Sequence, residues 1–184
     1  MSRLLVAGMG NVLRQDDGFG VEVARRLMLM AGDALPGDVT VVEVGIGGIH
    51  LVQELMDGYD GLVVIDAVER GSAPGTVHLL EAEVADLALW TEDDRGDFLA
   101  DMHYTTPSKA LILARALGVL PPRVFILGCQ PGEADAPGIG LTAPVARATT
   151  EAIRVLRELV GHLDRQIDGR DLAVSAPSPW SGDG

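Results

Sequence analysis

Gly8-Met9-Gly10-Asn11-Val12-Leu13-Arg14-Gln15-Asp16-Asp17-Gly18-Phe19-Gly20 lies between two different hydrophobic periodicities. Before it, Leu4-Leu5-Val6-Ala7 is a continuous apolar run, the pattern of a strand buried on both faces. After it, Val21, Ala24, Leu27, Met28 and Ala31 recur at helical spacing. The segment is therefore the turn between the first strand and the first helix of a βα unit. Its glycines let the backbone bend and approach a partner closely. It carries two acids, Asp16 and Asp17, to the carboxyl end of a strand, where open α/β sheets bind ligands. Asp16 reads as a cap for the first helix and Asp17 as the acid free to meet a ligand.

The same alternation continues. Val39 to Val44 reads as a second strand, followed by the glycine-rich turn Gly45-Ile46-Gly47-Gly48 and a short helix with Ile49, Val52, Leu55 and Met56 on its apolar face. Leu62-Val63-Val64-Ile65 is a central strand that ends at Asp66. Thr76 to Leu80 follows too soon for a crossover helix, so this strand is expected to run antiparallel to the third. Ala85 to Trp90 is expected to be a short helix and Glu92 to Asp97 an exposed acidic loop. Thr106 and Pro107 are an N-cap and a first helical residue, with Ala110, Leu111, Ala114 and Leu117 buried and Gly118 as the stop. Arg123 to Leu127 is a fifth strand. A last helix starts near Thr142 and Pro144, with Ile153, Leu156, Val160 and Leu163 as its stripe. The expected fold is a three-layer α/β/α sandwich around a mostly parallel sheet of about five strands. It forms one domain over residues 1–165, followed by a mobile tail over 166–184 rich in Ser, Pro, Gly and Asp.

Composition narrows the function. The formal net charge of −13 argues against a nucleic-acid phosphate track or an anionic membrane surface. No apolar run approaches the roughly 20 residues that span a bilayer. The N-terminal run is too short for a signal sequence, and a single cysteine, Cys129, permits no internal disulfide. A soluble cytoplasmic protein is expected. Cys129 reads as a small buried apolar residue, and no Gly-x-Ser-x-Gly elbow is present.

Asp17, Asp66 and His103 all fall on the carboxyl-end rim. Two carboxylates and an imidazole converging there can form an open site for a first-row divalent metal. The plain alternatives are turn acids that accept backbone hydrogen bonds and a surface histidine. His50, His78 and His162 sit within helix or strand patterns and read as structural or solvated. A dinucleotide site is disfavoured. Leu13 stands where the fingerprint needs a small residue, and Asp16 and Asp17 would repel a pyrophosphate.

Gly8-x-Gly10-Asn11-x-Leu13-x-x-Asp16-Asp17-Gly18-x-Gly20 resembles the opening motif of the nickel-iron hydrogenase maturation endopeptidases. Val64-Ile65-Asp66-Ala67 is similar to that family's second acidic position. His103 before Thr106-Pro107 matches its histidine, Gly128-Cys129-Gln130-Pro131 its late turn, and Gly140-Leu141-Thr142-x-x-Val145 the start of its last helix. The resemblance covers about Arg3 to Leu163. It implies an aspartic-type or metal-dependent endopeptidase that removes the C-terminal extension of the hydrogenase large-subunit precursor after nickel insertion. Asp17, Asp66 and His103 would be the catalytic and nickel-contacting groups, and Asn11, Gly45 and Gly48 would line the substrate. The nickel would be carried by the substrate, with no tightly held metal of the enzyme's own, and the protein would be a monomer or weak homodimer. One departure is Ile46, where the family often has a small hydroxyl residue. A Rossmann-like nucleotide-binding protein and a non-catalytic assembly chaperone are the competing readings. A related peptidase acting on spore proteins suits this short chain less well.

Overall fold

The computed structural model describes residues 3–30, 34–100 and 106–167. Five strands form one sheet in the order β2-β1-β3-β5-β4: β1 Arg3–Met9, β2 Asp38–Gly45, β3 Gly61–Ala67, β4 Val77–Glu81 and β5 Arg123–Cys129. The pairs β1–β2, β1–β3 and β3–β5 are parallel. Helices α1 Phe19–Leu29 and α5 Ala143–Ile167 cover one face, and α2 Gly48–Leu55 and α4 Pro107–Ala116 cover the other. The expected three layers are present. The sheet's central position explains the unbroken apolar strands. Leu4, Leu5, Val6 and Ala7 are buried, as are Leu62, Val63, Val64 and Ile65, with alternate side chains entering opposite helical layers.

β4 does run opposite to the other strands, but its hydrogen-bonded partner is β5, with His78 opposite Gly128, and β3 lies one strand further in. The short β3–β4 link reverses the chain, and β5 occupies the place beside β3. The acidic segment expected as a loop is instead helix α3, Glu92–Ala100. Thr91 begins it, accepting from the Asp94 N–H at 3.2 Å while its hydroxyl donates to the Asp94 carboxylate at 2.6 Å. Glu92, Asp93 and Asp94 in the first turn suit the positive end of the helix dipole. Between Ala85 and Trp90 only a 3-10 turn forms, Leu87–Leu89.

Thr106 and Pro107 start α4 as expected, with the Lys109 N–H on the Thr106 hydroxyl. Leu117, however, lies past the helix end and is exposed. Met28, Ile49 and Met56 also leave the apolar faces assigned to them and face solvent. Leu156, Val160 and Leu163 of α5 are buried and Ile153 packs against them. That helix continues to Ile167, two residues beyond the boundary expected at 165. Residues 168–184 lie outside those described. Among the described residues no helix is long and apolar enough to cross a membrane.

Candidate active site

The rim at the carboxyl ends of β1 and β3 is built by close backbone approach. A Cβ on Gly20 would overlap the carbonyl of Ile65, and one on Gly8 would overlap that of Gly20. Two glycines thus let the first turn of α1 rest directly on the ends of β1 and β3. Gly10 adopts φ +119°, a conformation that side chains rarely reach. A Cβ there would overlap the Asp17 carbonyl and stand 3.5 Å from Asp66 Oδ1. Gly10 is therefore the point where the Asp17 backbone and the Asp66 carboxylate come together.

The two sequence-adjacent acids have opposite fates. A 3-10 turn, Gln15–Gly18, precedes α1 and turns one acid inward and the other toward the rim. Asp16 is fully buried. Its carboxylate accepts from Gly132 N at 2.9 Å, Glu133 N at 3.0 Å, Thr142 N at 2.7 Å and the Thr142 hydroxyl at 2.8 Å. Burial pushes this carboxyl's pKa up, but the donors outweigh it and hold the pKa below the ordinary value. Asp16 therefore does not cap α1. It fastens the first turn to the β5–α5 connection and to the residue that precedes α5. Asp17, half-buried, accepts from the Asn11 N–H at 3.0 Å.

Asp66 occupies the end of β3, where its Oδ1 accepts from its neighbour's N–H, Ala67, at 2.9 Å. Burial raises its pKa to about 7. The Ala67 N–H opposes that rise and the Asp17 charge adds to it. A carboxyl that exchanges its proton near neutrality suits acid–base chemistry. His103, the third expected member, lies outside the described residues. Among the described residues no three His, Cys, Asp or Glu side chains gather as a metal site.

Asn11 closes its own turn, with Oδ1 on the Leu13 N–H at 2.9 Å. The Gly45 carbonyl accepts from Gly10 N at 3.1 Å, which locks the β2–α2 turn to the acidic one. Gly48 is buried in the first turn of α2 with its N–H on the Ile46 carbonyl. Glu43 of β2 is paired bidentately with Arg25 at 2.7 and 2.8 Å. Cys129 is wholly buried and its thiol is pushed up to about 11, by burial first and the Asp16 charge second, which removes it as a nucleophile. His50 and His162 are exposed; His78 is half-buried, with Nε2 enclosed and unpartnered among the described residues.

Gln130, which the sequence reading left without a role, organises the segment after Asp66. Its Oε1 accepts from Arg70 N at 2.7 Å and Ser72 N at 3.2 Å, and its Nε2 donates to Glu69 Oε1 at 2.7 Å. The only sequence signal was its place in the Gly128–Pro131 turn at a strand end. The partners of Asp16, and those of Gln130 in the segment after Asp66, lie far away in sequence, so local pattern could not assign their work.

A family profile described as HycI, hydrogenase maturation protease, matches residues 21–158. The hydrogenase expression/formation protein HupD of Rhizobium leguminosarum bv. viciae is 35% identical over 159 residues, covering 84% of this chain and 74% of HupD. The crystal structure of a hydrogenase 2 maturation peptidase from a Thaumarchaeota archaeon aligns with a TM-score of 0.61 at 33% identity, covering 86% of this chain and 98% of the other. The hydrogenase maturating endopeptidase HybD of Escherichia coli aligns with a TM-score of 0.64 at 26% identity, over 89% and 93% of the two chains.

Proposed function

Because this chain belongs to the hydrogenase maturation proteases, we propose that it cuts the C-terminal extension from a nickel-iron hydrogenase large-subunit precursor once nickel is in place. The observation that carries the residue assignment is the approach of the Asp17 backbone and the Asp66 carboxylate at Gly10, with the Asp66 carboxyl raised to about 7 by burial first and the Asp17 charge in addition.

The Asp17 charge disfavours ionisation of Asp66, and a cation delivered near both would relieve that repulsion. A nickel ion already held by the precursor would supply it, so the ion is part of the substrate and the acids read its presence. Oxygen donors alone bind such an ion weakly, which suits recognition better than retention. His103 would add an imidazole to this set. In the cut itself, Asp66 is suited to take a proton from the attacking water and return it to the leaving amine, because its proton is exchangeable near neutral pH. Asp17, oriented by the Asn11 N–H, faces the charge of the incoming metal. Asn11 and Gly45 hold the turn against which the peptide would lie. The chemistry is that of a metal-dependent endopeptidase with carboxylate groups in the acid–base role.

The test is mass spectrometry of a nickel-loaded precursor incubated with the wild-type, Asp17→Ala and His103→Ala proteins, beside nickel-free precursor. The expected result is loss of one defined C-terminal peptide, from the loaded precursor only, with the wild-type protein only. Full processing by both variants would remove the site assignment. Binding of the precursor without shortening it would favour the chaperone reading.

A further inference from the structure

Four large aliphatic side chains stand exposed around the acidic turn, Leu13 at 61%, Ile46 at 69% and Ile139 at 87% on loops and Ile49 at 44% in the first turn of α2. Single exposed aliphatics are ordinary, but several gathered around a site mark an interaction surface. Backbone hydrogen bonds hold these loops together. Gly138 N donates to the Leu13 carbonyl at 2.9 Å, Gln15 N to the Gly138 carbonyl at 3.1 Å, and Gly10 N to the Gly45 carbonyl at 3.1 Å. Ile46 thus stands on the α2 side of the acidic turn, and Leu13 with Ile139 on the α5 side.

Beside Ile139 a cleft of about 220 Å³ opens between Val12, Leu141, Ala146 of α5 and Glu22, Arg25 and Arg26 of α1. Gln15 and Gly18, which bracket Asp16 and Asp17, also line it. Its two guanidinium groups are spoken for. Arg25 is paired with Glu43, and Arg26 with Glu22 and the Thr149 hydroxyl. The cleft is consequently close to neutral within a chain of net charge −13. Its chemistry fits an uncharged aliphatic group and not an anion. Anything seated there is held within two residues of Asp17. A second copy of this chain in that position would cover the acids in both subunits, which a peptidase acting on a protein substrate does not allow.

We propose that Leu13, Ile46 and Ile139, with the cleft behind Ile139, are the docking surface for the precursor, which inserts an apolar side chain into the cleft. This rests on the peptidase reading above. The specificity of the enzyme for its own precursor is then carried by neutral aliphatic contact flanking the acids, and Ile46 is one of its determinants.

The experiment compares Ile139→Ser and Ile46→Ser with Leu89→Ser. Leu89 is exposed to 85%, on the 3-10 turn whose Asp86 meets Arg115 in the last turn of α4. All three positions face solvent, so thermal midpoints should match the wild type. Processing of nickel-loaded precursor is measured over a range of concentrations, and direct binding is measured in an Asp17→Ala background. Each rim substitution is expected to raise KM and Kd about tenfold, while Leu89→Ser stays within about twofold of its parent. Unchanged KM and Kd in both rim variants would overturn the proposal. So would a self-association of the wild type that Ile139→Ser abolishes while leaving precursor binding untouched. Tight, Ile139-dependent binding without any cleavage would keep the docking surface and discard the peptidase reading. A wild-type protein that neither binds nor cuts the precursor would discard both.

Discussion

Asp66→Asn should make the protein more stable at alkaline pH while abolishing processing. The folded-state pKa of Asp66 is about 7, raised by burial, against about 3.9 for an aspartate in an unfolded chain. The folded state therefore binds the proton more tightly, and stability falls as pH rises between those two values. Below the lower value both states are protonated and nothing is lost; above about 7 the whole cost is present. Asparagine cannot titrate and keeps an oxygen for the Ala67 N–H, so its stability carries no such term. From pH 5 to pH 7 lie two units of this titration, each worth about 1.4 kcal/mol, or about 3 kcal/mol together. The rim position admits some water, which trims the figure toward about 2 kcal/mol. Urea unfolding of both proteins with a chelator present, at pH 5 and pH 8.5, measures it directly. The stability gap between Asp66→Asn and wild type should widen by about 2–3 kcal/mol in favour of the variant at the higher pH. An equal gap at the two pH values would refute the assignment of Asp66 as a carboxyl held neutral by its burial.

Asp16→Asn should be destabilising by about 3 kcal/mol at pH 7, because a charge-assisted acceptor of four hydrogen bonds becomes an amide. The folded-state pKa of Asp16 is lowered, so its contribution is present above the unfolded value and is lost as pH falls through the folded one. The gap between variant and wild type in urea unfolding should accordingly close in acid. Cys129→Ala should process precursor normally at a stability cost of about 1–2 kcal/mol, and the native thiol should resist a disulfide reagent until the protein is unfolded. Gly20→Ala should fail to fold or lose at least about 3 kcal/mol, since its methyl group meets backbone of β3 that cannot move aside; an unchanged thermal midpoint would contradict the packing described.

What was legible in the sequence is what depends on neighbours within one element. The strands β1, β3 and β5 announce themselves as unbroken apolar runs because both of their faces are covered. Thr106-Pro107 announces α4 because capping is local chemistry. Asp66 could be placed on the rim because a strand end is visible in the pattern. The pairing of β4 with β5 was not legible, since it depends on which strand fills the gap beside β3 some forty residues later in the chain. Helix α3 was missed for a different reason. Its Glu-Asp-Asp-Arg-Gly-Asp composition lacks an apolar stripe, and its cap, Thr91, was the signal that charge density obscured. Ile49, Met56 and Leu117 were assigned inward by periodicity alone, and each lies at a helix end where the helix has already left its partner.

The acidic pair shows how one turn can separate support from chemistry. Consecutive residues in a helical turn point in directions more than a right angle apart, so two adjacent acids cannot share an environment. Asp16 spends its charge on four donors from the β5–α5 connection, which fixes the height of the turn against α5. Asp17 accepts one backbone donor, the Asn11 N–H, and its charge is felt at Asp66. A substitution at Asp16 therefore reaches the site only through the position of its neighbour. It should lower activity in step with the loss of folded protein, whereas Asp17→Ala should remove activity from protein that stays folded. Measuring processing per folded molecule across the two variants separates these roles. If Asp16→Asn, assayed well below its unfolding temperature, lost as much activity per folded molecule as Asp17→Ala, Asp16 would have to belong to the reacting groups themselves.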